Sequence, residues 1–137
     1  MELILMVIGA SIFGILGTLH LLLTCFSNQF EAYDPSVTSA MKNTSPKLTR
    51  ETTLWDAWVG FNVSHSLGAM LLAAFYIPLA IWHAEVIRGS FWFSALPVLV
   101  GLSYLYLAKK YWFKTPFIGI LISTLCFIGA FVLVIQR

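Results

Sequence analysis

Four apolar runs organise the chain, at roughly 3–26, 54–82, 91–108 and 116–135, separated by two short turns and one long polar connection, 27–53. Each run is near the length of about 20 residues that crosses a bilayer as a helix. The third is the shortest and contains Pro97, which removes a backbone donor, so a kink is expected there. Gly101, four residues on, leaves room for a neighbouring helix at that bend. No internal repeat relates the two halves.

The polar connection carries local signals of its own. Asp34 followed by Pro35 reads as an N-cap and a first helical proline, opening a short helix through about Asn43. Its apolar residues Val37, Ala40 and Met41 fall at i, i+3 and i+4, a face suited to the membrane surface or to capping the bundle. Thr53-Leu54-Trp55-Asp56 matches the capping pattern that opens a helix and precedes the second apolar run. Asp56 is then a first-turn acid favoured by the helix dipole rather than a proton carrier. Asn43-Thr44-Ser45 fits a glycosylation sequon, taken here as a chance match. The mixture of Thr, Ser, Lys and Arg between Met41 and Arg50 suits contact with lipid phosphates or a cytoplasmic partner, the alternative being a solvated connector.

Composition narrows the class. The 137 residues, enough for one domain, are 59% hydrophobic and 10% charged, with mean hydropathy +0.86. Soluble domains carry about a quarter charged residues. The expected fold is therefore an all-α integral membrane bundle of four helices in up-down-up-down order, with the lipid bilayer as its first partner. A net charge of +2 and the lack of a basic patch with interleaved aromatics exclude a nucleic-acid partner. Cys25 and Cys126 lie inside apolar runs, form no CxxC or zinc spacing, and read as small hydrophobes. Thr24 directly before Cys25 is atypical of a lipoprotein cleavage site. Glu2 stands where a signal peptide has a basic segment, so the first run is expected to be retained.

Charge asymmetry sets an orientation. Lys42, Lys47, Arg50, Lys109, Lys110 and Lys114 fall on one side of the membrane, against Arg88 and Arg137 on the other. By the positive-inside rule both termini are expected outside the cytoplasm. Trp55, Trp58, Trp82, Trp92, Tyr111 and Trp112 stand near predicted span ends, as an interfacial belt would.

Small residues recur at helical spacing: Gly60, Ser64 and Gly68 on the second span, Ala10, Gly14 and Thr18 beside Gly17 on the first, and Gly119, Ser123, Cys126 and Ala130 on the fourth. Such stripes let helices approach closely and predict a tight bundle or a dimer.

Polar groups are costly at membrane depth and mark where function is built. His20 and Thr24 share a face of the first span; on the second, Asn62 lies about 60° from His65 with Trp58 between them, and Ser66 beside Asn62. His20 lies six residues before the end of its span and His65 eleven after the start of its own. At about 1.5 Å per residue their depths nearly coincide if the turn at 53–58 is interfacial. Three roles compete for these residues. They lock the first two spans together by hydrogen bonds; or His20 and His65 are metal ligands, as axial ligands of haem b; or they form a polar pocket for a small lipophilic ligand or a proton. Against haem, the small-residue stripes point to close helix contact rather than a wide cleft. No paired carboxylates within spans, Ser-His-Asp spacing, HExxH or phosphate loop is present, so the enzyme question leans to no. His83, beside Trp82 and Glu85 at the far interface, is expected to meet solvent or headgroups.

The pieces Gly17-Thr18-Leu19-His20 with Thr24, Met41-Lys42 with Ser45-Pro46, residues 48–53, Trp55 with Trp58, and Gly60-Phe61-Asn62-Val63-Ser64-His65-Ser66-Leu67-Gly68 together resemble a group of small uncharacterised bacterial four-span membrane proteins. They cover about two fifths of the chain. The resemblance implies that fold and a bacterial inner-membrane location, and no activity. The expected function is a non-enzymatic accessory or assembly subunit acting through helix association with itself or another membrane protein. The alternative is a protein that binds haem b or a small lipophilic ligand at His20 and His65.

Overall fold

The computed structural model describes residues 1–136. Its helices are α1 (Glu2–Phe26), α2 (Pro35–Lys42), α3 (Leu54–Trp82), α4 (Ala84–Gly89), α5 (Phe91–Tyr111) and α6 (Lys114–Ile135), with no strand among the described residues. Arg137, counted above in the charge balance, lies outside them. The apolar helices α1, α3, α5 and α6 have 25, 29, 21 and 22 residues. At about 1.5 Å per residue, each exceeds the roughly 30 Å of hydrocarbon in a bilayer. The protein is thus an all-α membrane bundle with four spans.

Span ends differ from expectation where polar residues continue a helix. α5 runs three residues past the apolar stretch, because Lys109 and Lys110 in its last turn complement the negative end of the helix dipole. α6 opens two residues early, with Pro116 at its third position, where a backbone N–H would have no helical partner in any case. α4 was not predicted: six residues are too few for a periodic signal, and it is held by the burial of Ile87 and by a tie from Arg88.

Contacts divide the chain into two units, one comprising Met1–Leu16 with the chain from Ala69 onward, the other Gly17–Gly68. α1 and α3 contribute to both. The larger unit packs the start of α1, the end of α3, α4, α5 and α6 around Met6, Ala10, Phe13, Tyr76, Ile120 and Phe127. Phe13 meets Tyr104 edge to face at 5.2 Å and Phe127 at 5.8 Å. Small residues set the helix spacing here. A Cβ on Gly9 would stand 2.7 Å from the Phe127 ring, one on Gly14 2.9 Å from Ala73 Cβ, and one on Gly101 2.8 Å from Thr124 Oγ1. Ser123 Oγ donates to the Gly9 carbonyl at 2.7 Å, joining α6 to α1.

α5 continues through the buried Pro97. Proline has no N–H to give the carbonyl four residues back, that of Phe93. Tyr76 of α3 supplies the donor, its hydroxyl reaching the Phe93 oxygen at 3.0 Å. A second polar tie joins α4 to α1. Arg88 donates through Nε and a terminal nitrogen to Glu2 Oε1, at 3.1 and 2.8 Å, and Glu2 is 4% exposed.

The smaller unit is the end of α1, the polar connection with α2, and the start of α3. Asp34 caps α2 by accepting the Ser36 N–H at 2.9 Å, and that bond holds its carboxyl below the usual carboxylate range. Thr38, buried on α2, accepts the Ala32 N–H at 3.0 Å. At α3, Thr53 Oγ1 accepts the Asp56 N–H at 3.0 Å and donates to Asp56 Oδ2 at 2.7 Å. Asp56 is therefore occupied at the helix start.

Candidate functional site

Within the smaller unit the end of α1 and the start of α3 bring their polar residues to one level. His20 Nε2 and Asn62 Oδ1 are 3.0 Å apart. The Asn62 amide nitrogen donates to the Trp58 carbonyl at 2.8 Å, one turn back along α3. This fixes the amide orientation: nitrogen toward the α3 backbone, oxygen toward α1. An amide oxygen only accepts, so His20 donates through Nε2–H and its Nδ1 keeps the lone pair in the neutral ring. The His65 ring lies against that of His20, centroids 5.6 Å apart and planes at 75°.

The remaining candidates take different places. Thr24 and Ser66 are buried, at 8% and 0% exposure. Each hydroxyl is engaged within its own helix, Thr24 donating to the His20 carbonyl at 2.7 Å and Ser66 to the Asn62 carbonyl at 3.0 Å. Hydroxyls inside helices take this bond when no better acceptor is offered. Trp58 lends its carbonyl while its side chain is exposed. Of six candidates, His20, Asn62 and His65 come together; Thr24 and Ser66 bond through their hydroxyls to the His20 and Asn62 carbonyls, and Trp58 through its carbonyl to the Asn62 amide.

One member was missed. Phe30, in the connection after α1, sets its ring edge to face against His20 at 4.6 Å. Helical periodicity could not find it, since it lies on no helix; its only signal was a phenylalanine in a polar stretch. His83, at the other end of α3, is exposed and lies 3.6 Å from the exposed Glu85.

Two imidazoles are all the site offers a metal. No group of three His, Cys, Asp or Glu side chains is close enough to hold an ion among the described residues, whereas zinc takes four ligands or three and a water. Haem b between His20 and His65 does not fit this arrangement. Its insertion would require parting rings that touch and, for ligation through Nε2, breaking the His20–Asn62 bond. Both cysteines are free, with Cys25 exposed and outside the cluster's bonds.

The small-residue faces part company in the same unit. Gly60, Ser64 and Gly68 are all exposed, and a Cβ on Gly60 would meet nothing within 4 Å. Ser64 bonds only backward, to the Phe61 carbonyl at 2.9 Å. In the larger unit Ala10 and Gly14 of α1 and Ser123 and Ala130 of α6 are spent on packing, whereas this stripe is exposed.

Fold and site together define a class: a four-span helical membrane protein whose first two spans are tied by a histidine–asparagine contact. Comparison with family models, curated proteins and solved structures finds no match to the chain.

Proposed function

We propose that the protein is a non-enzymatic accessory or assembly subunit of a bacterial inner membrane, acting by helix association with a second copy or another membrane protein. The observation that carries this reading is the exposed Gly60–Ser64–Gly68 face of α3. In a bilayer the gain from association comes from close backbone approach and interhelical contacts, since lipid is as apolar as the helix. A face of small residues that its own bundle leaves open is suited to that approach. Both termini lie outside the cytoplasm in this reading, with the loop 27–53 and its lysines inside.

The test is purification in mild detergent with and without Gly60→Leu. The expected result is an oligomer or a reproducible partner for the parent chain, lost in the variant while helix content is unchanged. No self-association and no partner would overturn the reading.

A second reading has one observation in its favour, the convergence of His20 and His65. It makes the cluster a site for a small lipophilic ligand, or for haem b after rearrangement. An absorption spectrum before and after dithionite decides the haem form: a blue-region band that sharpens on reduction supports it. A featureless spectrum after expression with haem precursor retires it.

A further inference from the structure

Between the end of α2 and the start of α3 the chain folds into an open polar cradle of about 630 Å³, lined by Asn43, Thr44, Ser45, Pro46, Lys47 and Arg50. The lining holds two cations, two hydroxyls and an amide, and no acid. Its walls are anchored. Asn43 closes α2 with its backbone N–H on the Ser39 and Ala40 carbonyls and its amide nitrogen 2.8 Å from the Ser39 oxygen. The Thr44 carbonyl accepts the Leu54 N–H at 2.8 Å, pinning the cradle to the first residue of α3. Pro46 and Thr49 close a turn between them at 3.3 Å.

The cations of this connection differ in their engagement. Lys42 lies 3.6 Å from Glu31 and sits over the Trp55 ring at 4.8 Å. Lys47 and Arg50 make no ion pair among the described residues, nor do the Thr44 and Ser45 hydroxyls donate to another group there. Donors of this kind on a pinned backbone are what a tetrahedral oxyanion requires, arginine offering a fork and lysine a point charge. Through the Thr44–Leu54 bond the cradle is joined to the first turn of α3, a helix long and apolar enough to span a bilayer. The start of a span is where phospholipid phosphates lie, and the anionic leaflet favours cations there by about 1 kcal/mol each.

We propose that the cradle at 43–50 binds a phosphate group, with Lys47 and Arg50 as its charge partners and Thr44 and Ser45 as hydroxyl donors. The source in this membrane protein is the headgroup of an anionic phospholipid, with free phosphate the other source of the same chemistry.

The experiment titrates the full chain in detergent with three probes: short-chain phosphatidylglycerol, short-chain phosphatidylcholine and inorganic phosphate. Binding is read from amide shifts of residues 43–50. The variants are Lys47→Gln/Arg50→Gln and, as a control of equal charge, Lys109→Gln/Lys110→Gln at the end of α5. All four residues are exposed, so the helical spectrum is expected to persist. The expected result is tighter binding of phosphatidylglycerol than phosphatidylcholine, weakened about thirtyfold by loss of the two cradle cations and far less by the control. Inorganic phosphate that binds as tightly, with the same sensitivity, assigns the cradle to free phosphate. Equal weakening by both variants, or no shift in residues 43–50 with any probe, overturns the proposal.

Discussion

Asn62 does two things at once: its nitrogen secures its own helix and its oxygen reaches across to His20. Asn62→Ala should lower unfolding stability in detergent by roughly 0.5–1.7 kcal/mol, the range of interhelical polar contacts in membranes. Ser66→Ala should change it less, because that hydroxyl only doubles a bond within its own helix. Tyr76 has a sharper role. Its hydroxyl serves the Phe93 carbonyl left without a helical donor by Pro97, so Tyr76→Phe should cost about 1–3 kcal/mol. In a Pro97→Ala background, where residue 97 again has an N–H, the same change should cost clearly less. A double-mutant cycle measures the difference; equal losses in both backgrounds would remove this account of Tyr76. The histidines and Asn62 were legible as candidates because polar residues inside apolar runs are rare. Their contact across the two spans was one of the roles weighed, at depths that nearly coincide; which atoms pair was not legible, because angular positions on two separate helices leave the rotation undetermined. The partnership of Tyr76 with Pro97 was invisible, since nothing local in either residue names the other.

Glycines show how an element's surroundings change the meaning of one residue type. Gly9→Ala would press a methyl group into the Phe127 ring and the Ser123 carbonyl, with an expected loss of about 1–3 kcal/mol. Gly60→Ala meets open space, so the helix-propensity gain stands alone and the single chain should be stabilised by about 0.5–1 kcal/mol. Denaturation of both variants in the same detergent tests the pair. Capping of α2 carries a pH dependence of known sign. Asp34 has a lowered carboxyl pKa in the folded chain, so its stabilising effect is present above the ordinary carboxylate range. It is lost as pH falls through the lowered value. Hydrogen-exchange protection of α2 amides should fall in acid, and Asp34→Asn should flatten that dependence. The caps at Asp34 and Thr53 were readable from the chain because capping is a contact among neighbours. The short α4 was not, being held by a buried isoleucine and by the Arg88–Glu2 pair, both contacts with residues distant in the chain.

For the whole molecule, orientation is the property that the proposed function most needs. With Cys25 and Cys126 replaced by alanine, a cysteine at Ser45 should react with an impermeant maleimide only from the cytoplasmic side. One at Gln136 should react only from outside. The reverse pattern would invert the topology drawn from the Lys and Arg distribution. The Glu2–Arg88 pair adds a tie that charge counting, which uses only the side of the membrane on which Arg88 falls, does not see. Arg88 is engaged with a carboxylate that α1 carries almost out of solvent.

The four spans, the short helix in the connection, its cap and that of α3 were determined by the order of residues. Each depends on hydrophobic length or on bonds within four positions, and both are properties of a continuous segment. Tertiary structure decided which small residues are spent and which are left open. Gly9, Gly14 and Gly101 press against neighbours, while Gly60, Ser64 and Gly68 carry the same pattern and are exposed. A stripe states only that close approach is allowed; rotation of the helix in its bundle selects the partner. The same rotation brought His20 to Asn62 and Phe30 to His20, contacts that no spacing along one chain contains.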